Sequence, residues 1–205
     1  NTAVSVYATG VTATENAQTI DAQSTDAQAL TPEEQKAQEL QQVYDMPVES
    51  NGYKDWPQGP GTYGEAGIVM EVGTGTILYA KNIDAHEYPA SITKVLTALV
   101  ALENGQLTDN VTFSHDSVAF LQRGDSSVGL KEGNVITLDQ AMHAMLLASA
   151  NEAAYAIGES VGVNAGHDYN WFIEQMNSRC KELGGENSNF ANTNGLHDPN
   201  HYTCA

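Results

Sequence analysis

The stretch Ser91-Ile92-Thr93-Lys94-Val95-Leu96-Thr97-Ala98-Leu99-Val100-Ala101-Leu102 reads as a helix with apolar residues on nearly every side, and Lys94 is its only charge. A helix apolar all round is usually buried, and a cation in its first turn faces the positive end of the helix dipole. Both effects disfavour an ordinary ammonium at Lys94. Ser91 lies one turn earlier on the same face, so a neutral Lys94 amine can reach its hydroxyl and take the proton, as a base does for a nucleophile. The same residues fit a second reading, in which Ser91 caps the helix and Lys94 extends its ammonium to water. The rest of the chain has to decide between them.

With 205 residues and 41% hydrophobic content, the chain can hold one ordinary domain and a tail. Its formal charge of -18 argues against nucleic acid or an anionic lipid surface as a partner. An anionic ligand must therefore meet locally placed cations. Cys180 and Cys204 are too few for a disulfide framework and lack a second pair at metal-ligand spacing, so their pairing stays open. The histidines make no metal spacing either. No stretch approaches the roughly 20 apolar residues of a membrane span. The chain does not begin with methionine, and Val6-Tyr7-Ala8 has small residues where a signal-peptide cleavage site wants them, a hint of export.

Residues 1 to about 30 lack helical or strand periodicity and have the composition of a disordered spacer. Thr31-Pro32-Glu33-Glu34 combines a cap, a proline at the first helical position and a glutamate at the third, predicting a short helix near 32–44 with a narrow apolar stripe. Pro47 to Gly64 is rich in glycine and proline, as expected of an irregular segment laid over a domain surface. The expected division is thus an acidic spacer over 1–63 and a globular part over 64–205. Within the latter, Ile68–Val72 and Thr76–Ala80 read as strands joined by a turn at Gly73-Thr74-Gly75. Helices are predicted over Leu138–Ala148, Glu152–Gly162 and Tyr169–Leu183, with a short strand at Val111–Phe113 and a short helix over Asp116–Gln122.

Ser149-Ala150-Asn151 breaks two of these helices and could present side chains at a cleft. Taken alone it also fits a plain junction, because Ser149 and Glu152 have capping-box spacing. The order of Ser-x-x-Lys, then helices, then Ser-x-Asn some sixty residues later resembles the penicillin-recognising serine enzymes. Among these the chain resembles the D-alanyl-D-alanine carboxypeptidases. The resemblance rests on Tyr88-Pro89-Ala90-Ser91-Ile92-Thr93-Lys94-Val95-Leu96-Thr97-Ala98-Leu99, Gly129-Leu130-Lys131-Glu132-Gly133, Leu146-Leu147-Ala148-Ser149-Ala150-Asn151-Glu152-Ala153-Ala154 and Asn194-Gly195-Leu196-His197-Asp198-Pro199-Asn200-His201-Tyr202.

That resemblance implies an α+β, beta-lactamase/transpeptidase-like fold, with a helical subdomain packed against an antiparallel sheet that is incomplete in this chain. It implies Ser91 as the acylated nucleophile, Lys94 as its base, Ser149 as a proton relay and Asn151 as a substrate-binding residue. The implied substrates are peptidoglycan stem peptides, the implied covalent inhibitors are beta-lactams, and the implied location is extracytoplasmic; no cofactor and no metal are called for. One departure stands out: no Lys-Thr-Gly occurs in the sequence, and Gly73-Thr74-Gly75 lies on the wrong side of Ser91 to replace it. The expectation is a truncated enzyme, inactive as this chain alone. A non-catalytic muropeptide-binding module of the same fold, or a beta-lactamase, remains an alternative. Glu174 and Asn177 are the nearest candidates for a beta-lactamase's water-activating pair, but their spacing suggests a solvated helix face. His197 and His201 are expected to be surface or packing residues. A helical bundle whose motifs are only caps would have no hairpin at residues 68 to 80.

Overall fold

Thr31 and Glu34 form the reciprocal cap that starts α1, Pro32–Tyr44: Thr31 Oγ1 accepts from Glu34 N at 3.3 Å, and Glu34 Oε2 accepts from Thr31 N at 2.8 Å. The bond from Thr31 N, followed by one from Thr31 Oγ1 at 2.9 Å, holds the Glu34 carboxyl below its usual range. No α1 side chain is buried, as the narrow apolar stripe predicts. The structure, a computed structural model, describes residues 30–52 and 54–204. The spacer expected over residues 1 to 30 and the Val6-Tyr7-Ala8 segment lie outside the described residues, apart from Leu30.

The chain divides after Gln38, and Glu39–Ala205 is the larger unit. In it, β1 (Gly67–Met70) and β2 (Ile77–Lys81) pair antiparallel, with Gly67 opposite Lys81 and Met70 opposite Ile77. The hairpin excludes the bundle of caps. Its loop is longer than the three residues expected. Glu71 N still donates across to Thr76 O at 2.9 Å, but its carboxylate accepts from Gly73 N, Thr74 N and Thr74 Oγ1, and Gly75 takes a φ of +70°. Residues ahead of the hairpin pack on it: Lys81 is fully buried and donates to Val43 O and Thr62 O, both at 2.6 Å.

A helical layer follows. It comprises α2 (Thr93–Asn104), α3 (His115–Ala119), α4 (Leu138–Leu147), α5 (Asn151–Asn164) and α6 (Tyr169–Glu182), with β3 (Asn110–Thr112) paired antiparallel to β4 (Val135–Thr137). Thr137 and Gln140 make a complete capping box on α4. α5 runs through the middle and packs on α2, α4 and α6. Its Ala153, Ala154, Ala156 and Ile157 are buried with Val100, Met145, Phe172 and Met176. A Cβ at Gly162 would collide with the Asp168 carbonyl, so the entry to α6 can approach α5 only at a glycine.

α2 departs from the sequence expectation. Its inner face carries polar residues as well as apolar ones: Thr93, Lys94 and Thr97 are buried beside Ala98, Val100 and Ala101. Ile92 and Val95 are 75% and 65% exposed. They line an open groove of about 640 Å³ with Met70, Leu99 and Leu183, so the helix is apolar all round without being enclosed all round. Cys180 and Cys204 edge the same groove as free thiols.

The last segment returns to the start of α2. Glu87 bridges Thr203, and Asn189 bridges Tyr202, which brings His201 under Thr93. Buried His201 accepts from Ala191 N at Nδ1 (3.1 Å), so its Nε2 carries the proton towards Thr93 Oγ1 at 2.7 Å. Burial lowers the affinity of His201 for a proton, and Asp198 opposes this only in part. The unfolded chain therefore protonates first as pH falls. The His201 contribution is complete above the ordinary histidine value of 6.5 and declines as pH falls from there towards the lowered folded value. We expect denaturation curves taken from about pH 7.5 to 5 to lose up to about 1.4 kcal/mol per pH unit from this proton, and His201→Gln to lack that component. Equal slopes in the two proteins would refute it.

Candidate active site

Ser91 sits in a 3-10 turn, Ala90–Ile92, that leads into α2; the helix has its N-cap at Ile92, with no side-chain cap bond. Ser91 is therefore not the cap. Nor does Lys94 reach water, being only 2% exposed. Its Nζ lies 3.1 Å from Ser91 Oγ, 2.8 Å from Asn151 Oδ1 and 2.6 Å from the Asn194 carbonyl. An ammonium satisfies all three acceptors. A neutral amine keeps two N–H bonds, which the two carbonyl oxygens can hold, and this leaves its lone pair for the Ser91 hydroxyl.

Burial makes that neutral form more accessible. Burial pulls the Lys94 pKa down from 10.5 to about 8, against the opposing charge of Glu152. About a tenth of the molecules then carry a neutral amine at pH 7.

Ser149 and Asn151 arrive from the junction between α4 and α5. The sequence also allows Ser149 and Glu152 to form a capping box there, but α5 has Ala150 as N-cap with no side-chain bond. Ser149 instead adopts a φ of +55°, outside ordinary L-residue space, and its Oγ donates to Ser91 Oγ at 2.9 Å. Asn151, the first residue of α5, is buried; its N–H bonds Ser126 O at 2.9 Å. Thus the four residues predicted from the sequence, Ser91, Lys94, Ser149 and Asn151, form one hydrogen-bonded cluster.

Three further contributors escape a reading of motifs. The Asn194 carbonyl is a backbone group and has no side-chain signature. Gly195 has a φ of +82°, and a Cβ there would fall inside the Ala90 carbonyl group and 3.0 Å from Ser91 N. Glu152 is fully buried, and a charge inside a run of alanines was its available signal. His197 is exposed, with its ring edge-on to Tyr88 at 4.7 Å. Beyond Asn194 an open groove of about 540 Å³ is lined by Asn192, Leu196, Tyr155, Tyr169 and His115. Burial pushes the Tyr169 phenol up to about 12, so it is a hydrogen-bonding group and not a base. Among the described residues, no group of three His, Cys, Asp or Glu could hold a metal ion.

Solved proteins of the penicillin-binding DD-peptidase fold share this architecture. Penicillin binding protein 5 from Haemophilus influenzae matches with a TM-score of 0.64 at 29% identity, over 73% of this chain and 44% of that one. The Streptomyces K15 DD-transpeptidase matches at 0.60 and 30%, over 67% and 54%. The D-alanyl-D-alanine carboxypeptidase family model matches residues 57–205, and the chain belongs to that family. Among curated relatives, D-alanyl-D-alanine carboxypeptidase DacF of Bacillus subtilis is 32% identical over 146 residues, 69% of this chain and 36% of the relative. DacA of Haemophilus influenzae is 32% identical over 143 residues, 67% and 35%. The chain thus spans little more than a third of the length of these two curated relatives.

Proposed function

We propose that the whole protein is a serine-type D-Ala-D-Ala carboxypeptidase that trims peptidoglycan stem peptides outside the cytoplasm, and that Ser91 is acylated. The observation that carries this reading is the placement of Lys94 Nζ, held by two carbonyl oxygens with its third contact on Ser91 Oγ. Neutral Lys94 takes the Ser91 proton as Oγ attacks the carbonyl of the penultimate D-alanine. The Ser91 N–H makes no hydrogen bond among the described residues and can donate to the oxyanion, a kind of contact worth ~3 kcal/mol per donor in other enzymes. As the C–N bond breaks, the leaving amine receives a proton from Lys94 through the Ser149 hydroxyl, which already bonds Ser91. D-alanine departs. Lys94, neutral again, then activates a water that hydrolyses the ester, releasing the shortened peptide and restoring Ser91. The Asn151 side chain, anchored by Lys94 through Oδ1, can offer Nδ2 to a substrate amide oxygen.

A beta-lactam follows the same first step, but its leaving nitrogen stays tethered to the acyl group. Labelled penicillin therefore tests the reading. On the full-length protein we expect one label per chain, recovered on the peptide that contains Ser91, together with release of D-alanine from an acyl-D-Ala-D-Ala peptide. A full-length protein left unlabelled would overturn acylation of Ser91 and favour the non-catalytic module.

A further inference from the structure

The Glu152 carboxylate lies in the first turn of α5, one residue after Asn151, and the acylation steps above make no use of it. It is fully buried. Its Oε1 accepts three bonds from a single loop: Ser127 Oγ at 2.7 Å, Val128 N at 2.8 Å and Gly129 N at 3.1 Å. The same loop accepts Asn151 N through Ser126 O at 2.9 Å. Loop and helix start are thus stitched together at the Asn151 backbone and at the Glu152 side chain. Glu152 Oε2 has no hydrogen-bond partner among the described residues. A buried carboxylate with one oxygen unpaired is costly as a mere staple, whereas its negative charge is useful beside a buried lysine.

We propose that Glu152 is a positioning residue for the acylation site: it clamps the Ser126–Gly129 loop onto the start of α5, so fixing Asn151 against Lys94, and it supplies the negative charge that Lys94 works against. The proposal rests on the reading of Lys94 as the base. The surroundings of Lys94 support it. α2 and the α4–α5 junction present Ser91 and Ser149, which are uncharged, and the Asn192–Leu196 loop presents a backbone carbonyl. His201, the titratable group brought in by the final segment, is engaged by Thr93 and Ala191. α5 presents Asn151 and Glu152, and Glu152 is the residue whose charge favours the ammonium form of Lys94. Glu152 thereby holds more of the lysine in the ammonium form, which can return a proton to the leaving group after the neutral form has taken one from Ser91.

Two variants separate the parts of this role. Glu152→Gln keeps an oxygen for the three loop donors and removes the charge; Glu152→Ala removes both. The Lys94 side chain is titrated by NMR, which needs no turnover and is read whether or not Ser91 acylates. Expected in Glu152→Gln is a Lys94 midpoint lower by about one unit. The acid limb of the penicillin acylation profile of the full-length protein should move down with it. Expected in Glu152→Ala is the same shift plus faster hydrogen exchange at the Val128 and Gly129 amides. A Lys94 midpoint unmoved in Glu152→Gln overturns the charge role, and unchanged Val128 and Gly129 exchange in Glu152→Ala overturns the clamp. If the alanine variant does not fold, the glutamine variant alone decides the charge role, and exchange at the same two amides in Glu152→Asp, whose shorter side chain draws the carboxylate back from the loop, decides the clamp.

Discussion

Lys94→Met is expected to slow penicillin acylation of Ser91 about 10³-fold while leaving the folded state nearly as stable as before. The rate loss is that of a general base held within hydrogen-bond reach of its nucleophile, which contributes about 10² to 10⁴. The stability expectation comes from two opposing effects. Burial depresses the Lys94 pKa from 10.5 to about 8, so the unfolded chain binds more protons between those values. Stability therefore rises with pH across that window, and at pH 7 the buried ammonium costs the fold about 3 kcal/mol. Methionine removes this cost and fills a similar volume. It also leaves Asn151 Oδ1 and the Asn194 carbonyl without their donor, at about 1 to 3 kcal/mol each. The two effects nearly cancel. Wild-type acylation should rise about tenfold per pH unit up to about 8 and then level off, following the neutral amine. The variant should lack that limb. Acylation rates and thermal melts across pH are the measurements, and a variant acylating within about tenfold of wild type would remove Lys94 from the role of base.

The sequence exposes this pair because its geometry is local. A helix puts residues three apart on one face whatever surrounds them, so Ser91 and Lys94 can be joined before any tertiary contact is known. The junction at Ser149 is different. Its spacing to Glu152 satisfies a local capping rule, but the structure breaks that rule: Ser149 turns to Ser91, 58 residues earlier, and Glu152 turns to the loop at Ser127. Both contacts depend on how α5 sits between α2 and the loop, which no window of sequence contains. β4 is three residues long and too short for any periodicity. The exposed apolar face of α2 could not be told from a buried one, because apolar character on every side says nothing about which side is covered. The Asn194 carbonyl is a case of its own, since every residue has one.

Gly195→Ala is the substitution for which that backbone contact predicts the second large effect. Gly195 has a φ of +82°, and its added Cβ would enter the Ala90 carbonyl group, in the turn that aims Ser91. Ala90 is itself constrained, at a φ of +49° and bonded through the 3-10 turn to α2. The Asn192–Leu196 loop must retreat, and with it goes the Asn194 carbonyl, the shortest of the three Lys94 contacts. A displacement of about 1 Å in a catalytic array costs on the order of 10² in rate. We therefore expect acylation to fall by about that factor and stability by about 2 to 4 kcal/mol. Gly133→Ala is the matched control. Its φ is +82° too, but nothing lies within 4 Å of the added Cβ, so it bears the left-handed penalty of about 1 to 2 kcal/mol without a collision. If denaturation midpoints and acylation rates of the two variants coincide, the approach of Gly195 to Ala90 does not hold Lys94 in place. If Gly195→Ala alone loses acylation, the nucleophile and its base depend on a loop a hundred residues further along the chain, packed where only a glycine fits.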